Sequence, residues 1–339
     1  MKTDTRTSVH PRTQTRPLAA RDLDAVVAID TALVGRSRRA YFERRLAAAK
    51  RDPERHLQFA VDEDGAFAGF MLGRSLEGEF GRSEPELRFE AFGIKPAAQG
   101  RGLAAVISAA FEAEAAHRGL REIRTAALWR EHELLRFLDH AGYRLGDSHV
   151  LDCSLHDAEL GSPRERPLDR EAQQGDPNDY GRPSTNDFES VARDAAEVRL
   201  LTQADLEGIA RIDRKITGRD RRGYLCRAYA ETLADSALRV SLAACVDRSI
   251  AGFLMARLDY GDFGRAEPVA VIDTIGVDPL RLRQGMGRAL LSQLFINLSA
   301  LGVERVETVV APGNLDLLGF FYSAGLRPSE RLAFVKSLG

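Results

Sequence analysis

The chain has little of several residue types that mark specialised classes of protein. Its 339 residues include three cysteines, Cys153, Cys226 and Cys245, which form neither a CxxC pair nor a metal-ligand spacing. We therefore expect a reducing, cytoplasmic compartment and no structural disulfide or metal site. No apolar run approaches the roughly 20 residues of a membrane-spanning helix. The polar N-terminus also lacks the apolar core of a secretion signal, so we expect no export.

An excess of charge of one sign is also lacking. The chain has 48 basic and 50 acidic residues, for a formal net charge of −2. Such a balance gives no general attraction to polyanions. We therefore expect neither nucleic acid nor a membrane as a partner. Histidine is absent after residue 156, so chemistry that recurs in the second half of the chain cannot depend on it.

The chain does contain an internal repeat with a constant offset of 183 residues. DLDAVVAID (22–30) matches DLEGIARID (205–213), and AGYR (141–144) matches AGLR (324–327). One register kept over this distance predicts a duplicated domain. We expect the domains at 14–155 and 194–339. A disordered tail (1–13) and a linker (156–193) rich in Pro, Gly and charged residues complete the chain.

Each copy shows the same coarse pattern of elements. A short strand and two helices precede three apolar strands, and a long helix then follows a glycine turn. A strand, a short helix and a final strand complete the unit. This order predicts an α/β fold, an α+β mixed sheet with helices on both faces, in each half.

The glycine turn KPAAQGRGLA (95–104) is the strongest candidate for a ligand site. Glycines let successive backbone N–H groups turn inward, and the helix that begins there adds its positive dipole end. Both effects favour a phosphate group. The lysine of a Walker A loop is absent, and a dinucleotide fingerprint normally follows the first strand of its domain. A plain strand–turn–helix corner would also use proline and glycine.

The wider pattern resembles the acyl-CoA-binding motif of the Gcn5-related N-acetyltransferase (GNAT) superfamily. In the first copy it comprises Ile94, Pro96, Gln99 and Gly102, and the resemblance extends over both halves of the chain. It implies two tandem acyl-CoA N-acyltransferase domains and an enzyme without a metal cofactor. The implied reaction transfers an acetyl group from acetyl-CoA to a primary amine by direct attack. The acceptor could be a small molecule or a protein amine.

The resemblance also implies which residues contact CoA. In the first copy they are Ile94, Gln99, Gly100, Arg101, Gly102, Leu103 and Ala104. In the second copy they are Val277, Arg283, Gln284, Gly285, Met286, Gly287 and Asn314. Leu282 stands where Gln or Arg is expected, which implies weaker binding by the second turn. Because many members of the superfamily are dimers, we expect the copies to pack as an intramolecular pseudo-dimer, with the chain itself a monomer as one option.

Glu90 and Asp273 are the candidate catalytic residues. They occupy equivalent positions in the strand before each turn, four residues before Ile94 or Val277. Strand alternation predicts that each acid shares a face with that residue. A carboxylate in an apolar strand is costly unless it has a partner. It could accept a proton from the amine, or it could pair with an arginine of GRSRR (35–39) or of FGR (80–82).

Other positions raise a rival hypothesis. The general-acid tyrosine of the superfamily falls on Leu138 and Phe321, which cannot protonate a thiolate, and the adjacent Tyr322 is rotated by about 100° on a helix. Water would then return the proton, or one or both copies would be inactive in a CoA-binding sensor or scaffold. The repeated GRSRR motif could bind an anionic acceptor group or pair with Glu84 and Glu267.

Overall fold

The computed structural model describes residues 12–76, 85–155, 197–235, 240–247, 249–260 and 268–339. The predicted linker, Glu84 and Glu267 lie outside the described residues, as does the predicted tail up to residue 11.

The first half of the chain contains four helices and seven strands within the described residues. They are β1 (Thr13–Pro17), α1 (Leu23–Val34), α2 (Arg39–Arg51), β2 (His56–Glu63), β3 (Ala66–Leu76), β4 (Glu86–Ile94), α3 (Leu103–His117), β5 (Glu122–Leu128), α4 (His132–His140), β6 (Arg144–Leu145) and β7 (His149–Ser154).

The second half repeats this order. Its elements are β8 (Glu197–Leu200), α5 (Leu206–Thr217), α6 (Arg222–Asp235), β9 (Leu242–Val246), β10 (Ser249–Tyr260), β11 (Pro268–Val277), α7 (Met286–Ala300), β12 (Arg305–Val310), α8 (Leu315–Ser323), β13 (Arg327–Pro328) and β14 (Arg331–Ser337).

Two seven-stranded mixed sheets result, in the orders β1-β2-β3-β4-β5-β14-β6 and β13-β7-β12-β11-β10-β9-β8. The β4–β5 and β11–β12 pairs are parallel, and the other pairs are antiparallel. The prediction of a mixed α/β fold in each half is confirmed.

The last long strand of each half lies in the sheet of the other half. Strand β14 pairs with β5 from Arg331↔Leu128 to Ser337↔Glu122, and β7 pairs with β12 from Arg305↔Ser154 to Val310↔His149. Sheet membership therefore departs from chain order at these two strands. Each sheet is complete only with a strand from the other half, which ties the copies together by backbone hydrogen bonds.

Helices cover both faces of each sheet because the strands are apolar on both sides. On one face of the first sheet, Ile107, Phe111 and Ala115 recur every four residues and form the buried side of α3. On the other face α1 and α2 contribute Val26, Phe42 and their neighbours. The described helices reach 15 residues at most, and none has the length and apolarity to cross a bilayer.

Candidate functional site

The glycine-rich turn follows the same backbone path in both halves. After β4 and β11, one turn of 3-10 helix (Pro96–Ala98; Pro279–Arg281) leads towards the start of α3 or α7. The N-cap residues Gly102 and Gly285 have φ angles of 82° and 81°. A β-carbon is strained in this left-handed region, so the backbone itself favours glycine at the cap.

Backbone N–H groups at both turns have no acceptor within the described part of the chain. This holds for residues 100–104 in the first half and for residues 283–287 in the second. They surround the N-terminus of a 15-residue helix, where the helix dipole is positive. The arrangement can bind the oxygens of a phosphate or pyrophosphate.

The two turns differ where the first copy has its first glycine. Gly100 has a φ of 76°, and the equivalent Arg283 adopts the same left-handed conformation with a φ of 63°. A non-glycine residue in this region costs about 1 kcal/mol. The second turn therefore carries a cationic side chain at an energetic cost, which is typical of functional sites.

Polar side chains of the first turn contact the protein itself. The amide nitrogen of Gln99 donates to the carbonyl of Ile94 at 3.3 Å, and Arg101 donates to the carbonyl of Ala97 at 2.9 Å. Arg101 also pairs with Glu63 at 2.9 Å. The two polar side chains expected to contact CoA in this half are therefore held by neighbouring groups.

A cavity of about 720 Å³ opens at the second turn, between the end of β11, the end of α5 and the starts of α7 and α8. We call it the second cleft. Asn314 lines it and caps α8, where its side chain accepts a hydrogen bond from the N–H of Leu317 at 3.2 Å. Most predicted second-half contacts line this cleft: Val277, Arg283, Gly285, Met286, Gly287 and Asn314. Gln284 is not among its lining residues.

The second cleft is also rich in cations, of which the motif identified only Arg283. Its lining includes Lys215, Arg281, Arg283 and Arg288. The 183-residue offset places the three arginines opposite Ala98, Gly100 and Ala105 of the first copy, so a comparison of the copies could have found them. Lys215 also donates to Asp278 at 2.8 Å, and this hydrogen bond lowers the pKa of Asp278. The cleft therefore suits a ligand with several negative charges.

Pairing between the two parallel strands ends before each turn. The β4–β5 ladder ends at Arg88↔Arg124, and the β11–β12 ladder ends at Ile272↔Thr308. At equivalent positions Thr125 and Thr308 then donate side-chain hydrogen bonds to a carbonyl of the adjacent strand, at 3.0 and 3.1 Å. Beyond these ties, the described residues show no backbone pairing between the two strands, so the strand edges that face each other are unpaired.

Aromatic side chains contact one another in this region of the first half. Phe92 of β4 stacks on Phe137 of α4 with 4.5 Å between ring centroids and 13° between planes, and Phe89 lies against both rings. The residues equivalent to the stacked pair are Ile275 and Phe320, and both line the second cleft. The larger ring on β4 therefore contacts a ring of α4 in the first half, while the smaller Ile275 lines an open cleft in the second half.

Each candidate acid is the extra residue of a β-bulge. The residues on either side of Glu90 pair with consecutive residues of β3, Leu72 and Gly73. The residues on either side of Asp273 likewise pair with consecutive residues of β10. A bulge breaks the two-residue alternation of side chains. The expectation that Glu90 shares a face with Ile94 is therefore wrong: Glu90 meets Arg45 of α2, whereas Ile94 packs in the cluster that contains α3.

Both acids form ion pairs with an equivalent arginine. Glu90 is 1% exposed and contacts Arg74 at 2.6 Å and Arg45 at 3.3 Å. Asp273 is 8% exposed and pairs with Arg257, the counterpart of Arg74. These partners differ from the motif arginines named by the ion-pair alternative.

The repeated GRSRR motif instead supplies a buried ion pair between the first two helices of each half. Arg38 donates to Asp30 of α1, and Arg221 donates to Asp213 of α5, at 2.9 Å in each case. All four residues are less than a tenth exposed. Asp213 and Arg221 also line the second cleft, so this structural pair forms part of its wall.

The positions of the expected general acid lie inside the two cores. Leu138 and Phe321 are both fully buried among apolar side chains. Tyr322, which follows Phe321, is 36% exposed because it points away from the buried side of α8. Within the described residues, no group of three histidines, cysteines or carboxylates is arranged to hold a metal ion.

Solved structures share this fold over nearly the whole chain. A glucosamine N-acetyltransferase region of a fungal multi-domain β-N-acetylglucosaminidase matches with a TM-score of 0.64 and 12% identity, over 97% of this chain but 38% of that protein. A tandem GNAT protein from the clavulanic acid biosynthesis pathway matches with a TM-score of 0.61 and 15% identity, over 97% and 99% of the two chains. A GCN5-related N-acetyltransferase from Sphaerobacter thermophilus matches with a TM-score of 0.54 and 15% identity, over 96% of each.

At these identities the similarity concerns the fold alone. No curated protein sequence matches this chain. The sequence model of the acetyltransferase (GNAT) family, however, matches residues 25–143 and again residues 208–326, which together are well over half of the chain. The protein belongs to the GNAT acetyltransferase family and consists of two tandem GNAT domains.

Proposed function

We propose that this protein is an N-acetyltransferase that moves an acetyl group from acetyl-CoA to a primary amine, and that the second half carries the active site. The observation behind this assignment is the open second cleft, which ends at the unbonded N–H groups of residues 283–287. In the equivalent region of the first half the rings of Phe92 and Phe137 stack on each other between strand and helix. A ligand as long as acyl-CoA needs such a cleft.

Residues of the second cleft fit the chemistry of CoA. Its pyrophosphate suits the backbone N–H groups at the start of α7, and its negative charge suits Lys215, Arg281, Arg283 and Arg288. The backbone beyond Ile272 and Thr308, where strand pairing ends, can bond the amide groups of the pantetheine arm. The thioester would then lie near the bulge that contains Asp273.

The reaction needs a proton acceptor and a proton donor. As the amine attacks the thioester carbonyl, we assign the acceptance of its proton to Asp273, through a water molecule, because Asp273 directly precedes the cleft residue Thr274. We assign a structural role to Glu90, which is buried against two arginines. The side chains of Leu138 and Phe321 cannot donate a proton, so we assign the protonation of the departing thiolate to water.

Binding and turnover can be tested with one matched pair of variants. Gly102→Glu and Gly285→Glu introduce the same side chain at the same φ angle, so their strain should be similar. We expect Gly285→Glu to abolish acetyl-CoA binding in calorimetry and Gly102→Glu to leave it unchanged. Equal loss in both variants, or loss only in Gly102→Glu, would contradict the assignment to the second half.

The acceptor should be sought with a panel of amines and a thiol-release assay. The panel should contain polyamines, amino acids, peptide N-termini and lysines, and amino sugars. Glucosamine is included because the fungal structural neighbour is described as a glucosamine N-acetyltransferase region. With an active acceptor, we expect Asp273→Asn to lower kcat about 100-fold. Glu90→Gln should lower stability more than kcat.

A second candidate function is a CoA-binding sensor without turnover. The apolar side chains at Leu138 and Phe321, where the superfamily has its general acid, favour it. Tight acetyl-CoA binding with no thiol release for any amine on the panel would support the sensor over the enzyme.

A further inference from the structure

A small basic cavity lies at the junction of the two halves, apart from the second cleft. It has a volume of about 160 Å³ and lies between the end of α2, the start of β2, the end of β3 and helix α6 of the second half. Ala48 and Glu231 are equivalent under the 183-residue offset, and both line it. The cavity therefore lies where corresponding faces of the two copies meet.

Three buried nitrogen atoms of residues that line this cavity have no hydrogen-bond partner within the described part of the chain. They are Nη2 of Arg74, Nε of Arg55 and Nδ1 of His56. Arg74 is only 5% exposed, and its Nε already faces Glu90 at 2.6 Å. A buried polar group without a partner costs about 1–3 kcal/mol. Three such groups around one cavity indicate a guest that accepts several hydrogen bonds.

Arginines outnumber carboxylates in the lining of the cavity, and Arg55 forms an ion pair with Glu231 there. Its lining contains three arginines, at positions 51, 55 and 74, and two carboxylates, Asp52 and Glu231. Burial, followed by the charges of Arg74 and Arg45, lowers the pKa of His56 to about 3. The imidazole is therefore neutral at physiological pH, and the surrounding field disfavours a cation.

We propose that this cavity is a binding site for a small oxyanion of the size of inorganic phosphate, which bridges the two halves. Arginine N–H groups match the oxygens of such an ion in geometry and charge, and a neutral histidine can donate one further bond. The volume excludes a nucleotide or CoA. A small carboxylate shares this chemistry, so the experiment must separate the two ligands.

Calorimetric titration of the full chain with inorganic phosphate, at constant ionic strength, tests the proposal. We expect saturable binding that Arg74→Met, which removes the most buried donor, weakens at least tenfold. Ala48→Met should weaken it similarly, because it fills the cavity and leaves all three donors in place. Arg305→Met, which removes a surface guanidinium paired with Asp152, is the control and should bind like the parent chain.

Phosphate could also bind the glycine turn, so Gly285→Glu is titrated in parallel. Binding that Gly285→Glu abolishes and Ala48→Met leaves intact belongs to the turn and overturns the proposal. If Arg74→Met loses phosphate binding and Ala48→Met keeps it, the proposal is also overturned, because the loss would then come from disruption of the Glu90 ion pairs.

Acetate and malonate are titrated in the same way. If only a carboxylate binds, with the same dependence on both variants, the site holds a carboxylate. If nothing saturates, no such site exists.

Discussion

The two glycine turns of this protein have nearly the same backbone geometry, but a cavity opens at the second turn, whereas two stacked rings lie beside the first. Both have the same N-cap geometry, with Gly102 and Gly285 within 1° in φ. In the first half a phenylalanine at position 92 stacks across the gap, while Ile275 at the equivalent position leaves the gap open. The larger ring in the first half therefore takes up space between strand and helix that the smaller side chain leaves unfilled in the second cleft.

The candidate acids show the same contrast. Arg45 contacts Glu90, but the 183-residue offset places Ala228 opposite Arg45, so the residue that gives Glu90 its second arginine is not a cation in the second half. The two acids are thus equivalent in the chain, but the helix residues opposite them differ. A shared bulge and a shared strand position do not establish a shared role.

The largest expected effect comes from separating the halves. Residues 1–193 lack β14 and residues 194–339 lack β7, so each half alone would leave an inner sheet edge unpaired. We expect each half to aggregate or self-associate, and the two to copurify as a 1:1 complex when they are coexpressed. Size-exclusion chromatography with light scattering measures this. A monomeric half with a cooperative melting transition would show that the exchanged strand is dispensable.

A reciprocal exchange of one residue tests the difference between the clefts. Phe92→Ile should destabilise the chain by about 1–3 kcal/mol, because it leaves a cavity beside Phe137. If the proposed function is right, calorimetry should then detect a second, weaker CoA site. Ile275→Phe should close the second cleft and abolish binding. Normal CoA binding by Ile275→Phe would show that the size of the side chain at position 275 does not control entry of CoA into the cleft.

Arg283, which has a left-handed backbone conformation, provides a test with a smaller effect: its replacement should raise stability but weaken CoA binding. Arg283→Gly should raise the free energy of unfolding by about 1 kcal/mol because it relieves backbone strain. It should also weaken CoA binding about tenfold because a cation is lost from the cleft. Gly100→Arg is the matched change in the first half and should lower stability by a similar amount. Urea unfolding and calorimetry of both variants give the comparison.

The smallest expected effect concerns one carboxylate in each half near the first helix. Hydrogen bonds from Arg199 lower the pKa of Asp205. For Asp22, burial raises the pKa, but hydrogen bonds from Arg16 and Ala19 outweigh it, and the pKa is also lowered.

Because both folded pKa values lie below that of an unfolded aspartate, about 3.9, this stabilisation is present above that pH. It is lost as the pH falls through the folded pKa. Asp22→Asn and Asp205→Asn should therefore each lower stability at pH 7 by up to about 1 kcal/mol. The difference from the parent chain should shrink towards pH 2 in urea titrations. A difference that is constant with pH would point to packing instead of charge.

Much of the fold could be predicted because it depends on local and periodic patterns. The constant offset and the order of apolar segments indicated two mixed α/β units, and the family match confirms two GNAT domains. The turn could be located because glycine and proline constrain the backbone wherever they occur. The domain boundaries and the CoA and catalytic roles of individual residues stay predictions.

Other features depend on contacts between residues far apart in the chain. Nothing in the local pattern of RLAFVKS distinguishes a strand that pairs within its own half from β14, which pairs with β5 some 200 residues earlier. The two-residue alternation of a strand likewise gives no sign of the bulge at Glu90, which changes the face on which that acid lies.

Repetition and backbone constraints thus act along the chain, and they were sufficient to predict the sheet type and the two turns, while the family was predicted from the resemblance of the turn to a known motif. Which surfaces meet in space decides the partners of β7 and β14, the stacking of Phe92 on Phe137 and the ion pairs of each acid. Side-chain packing and the burial of charge operate only at that level, and they made the two halves of one repeat different.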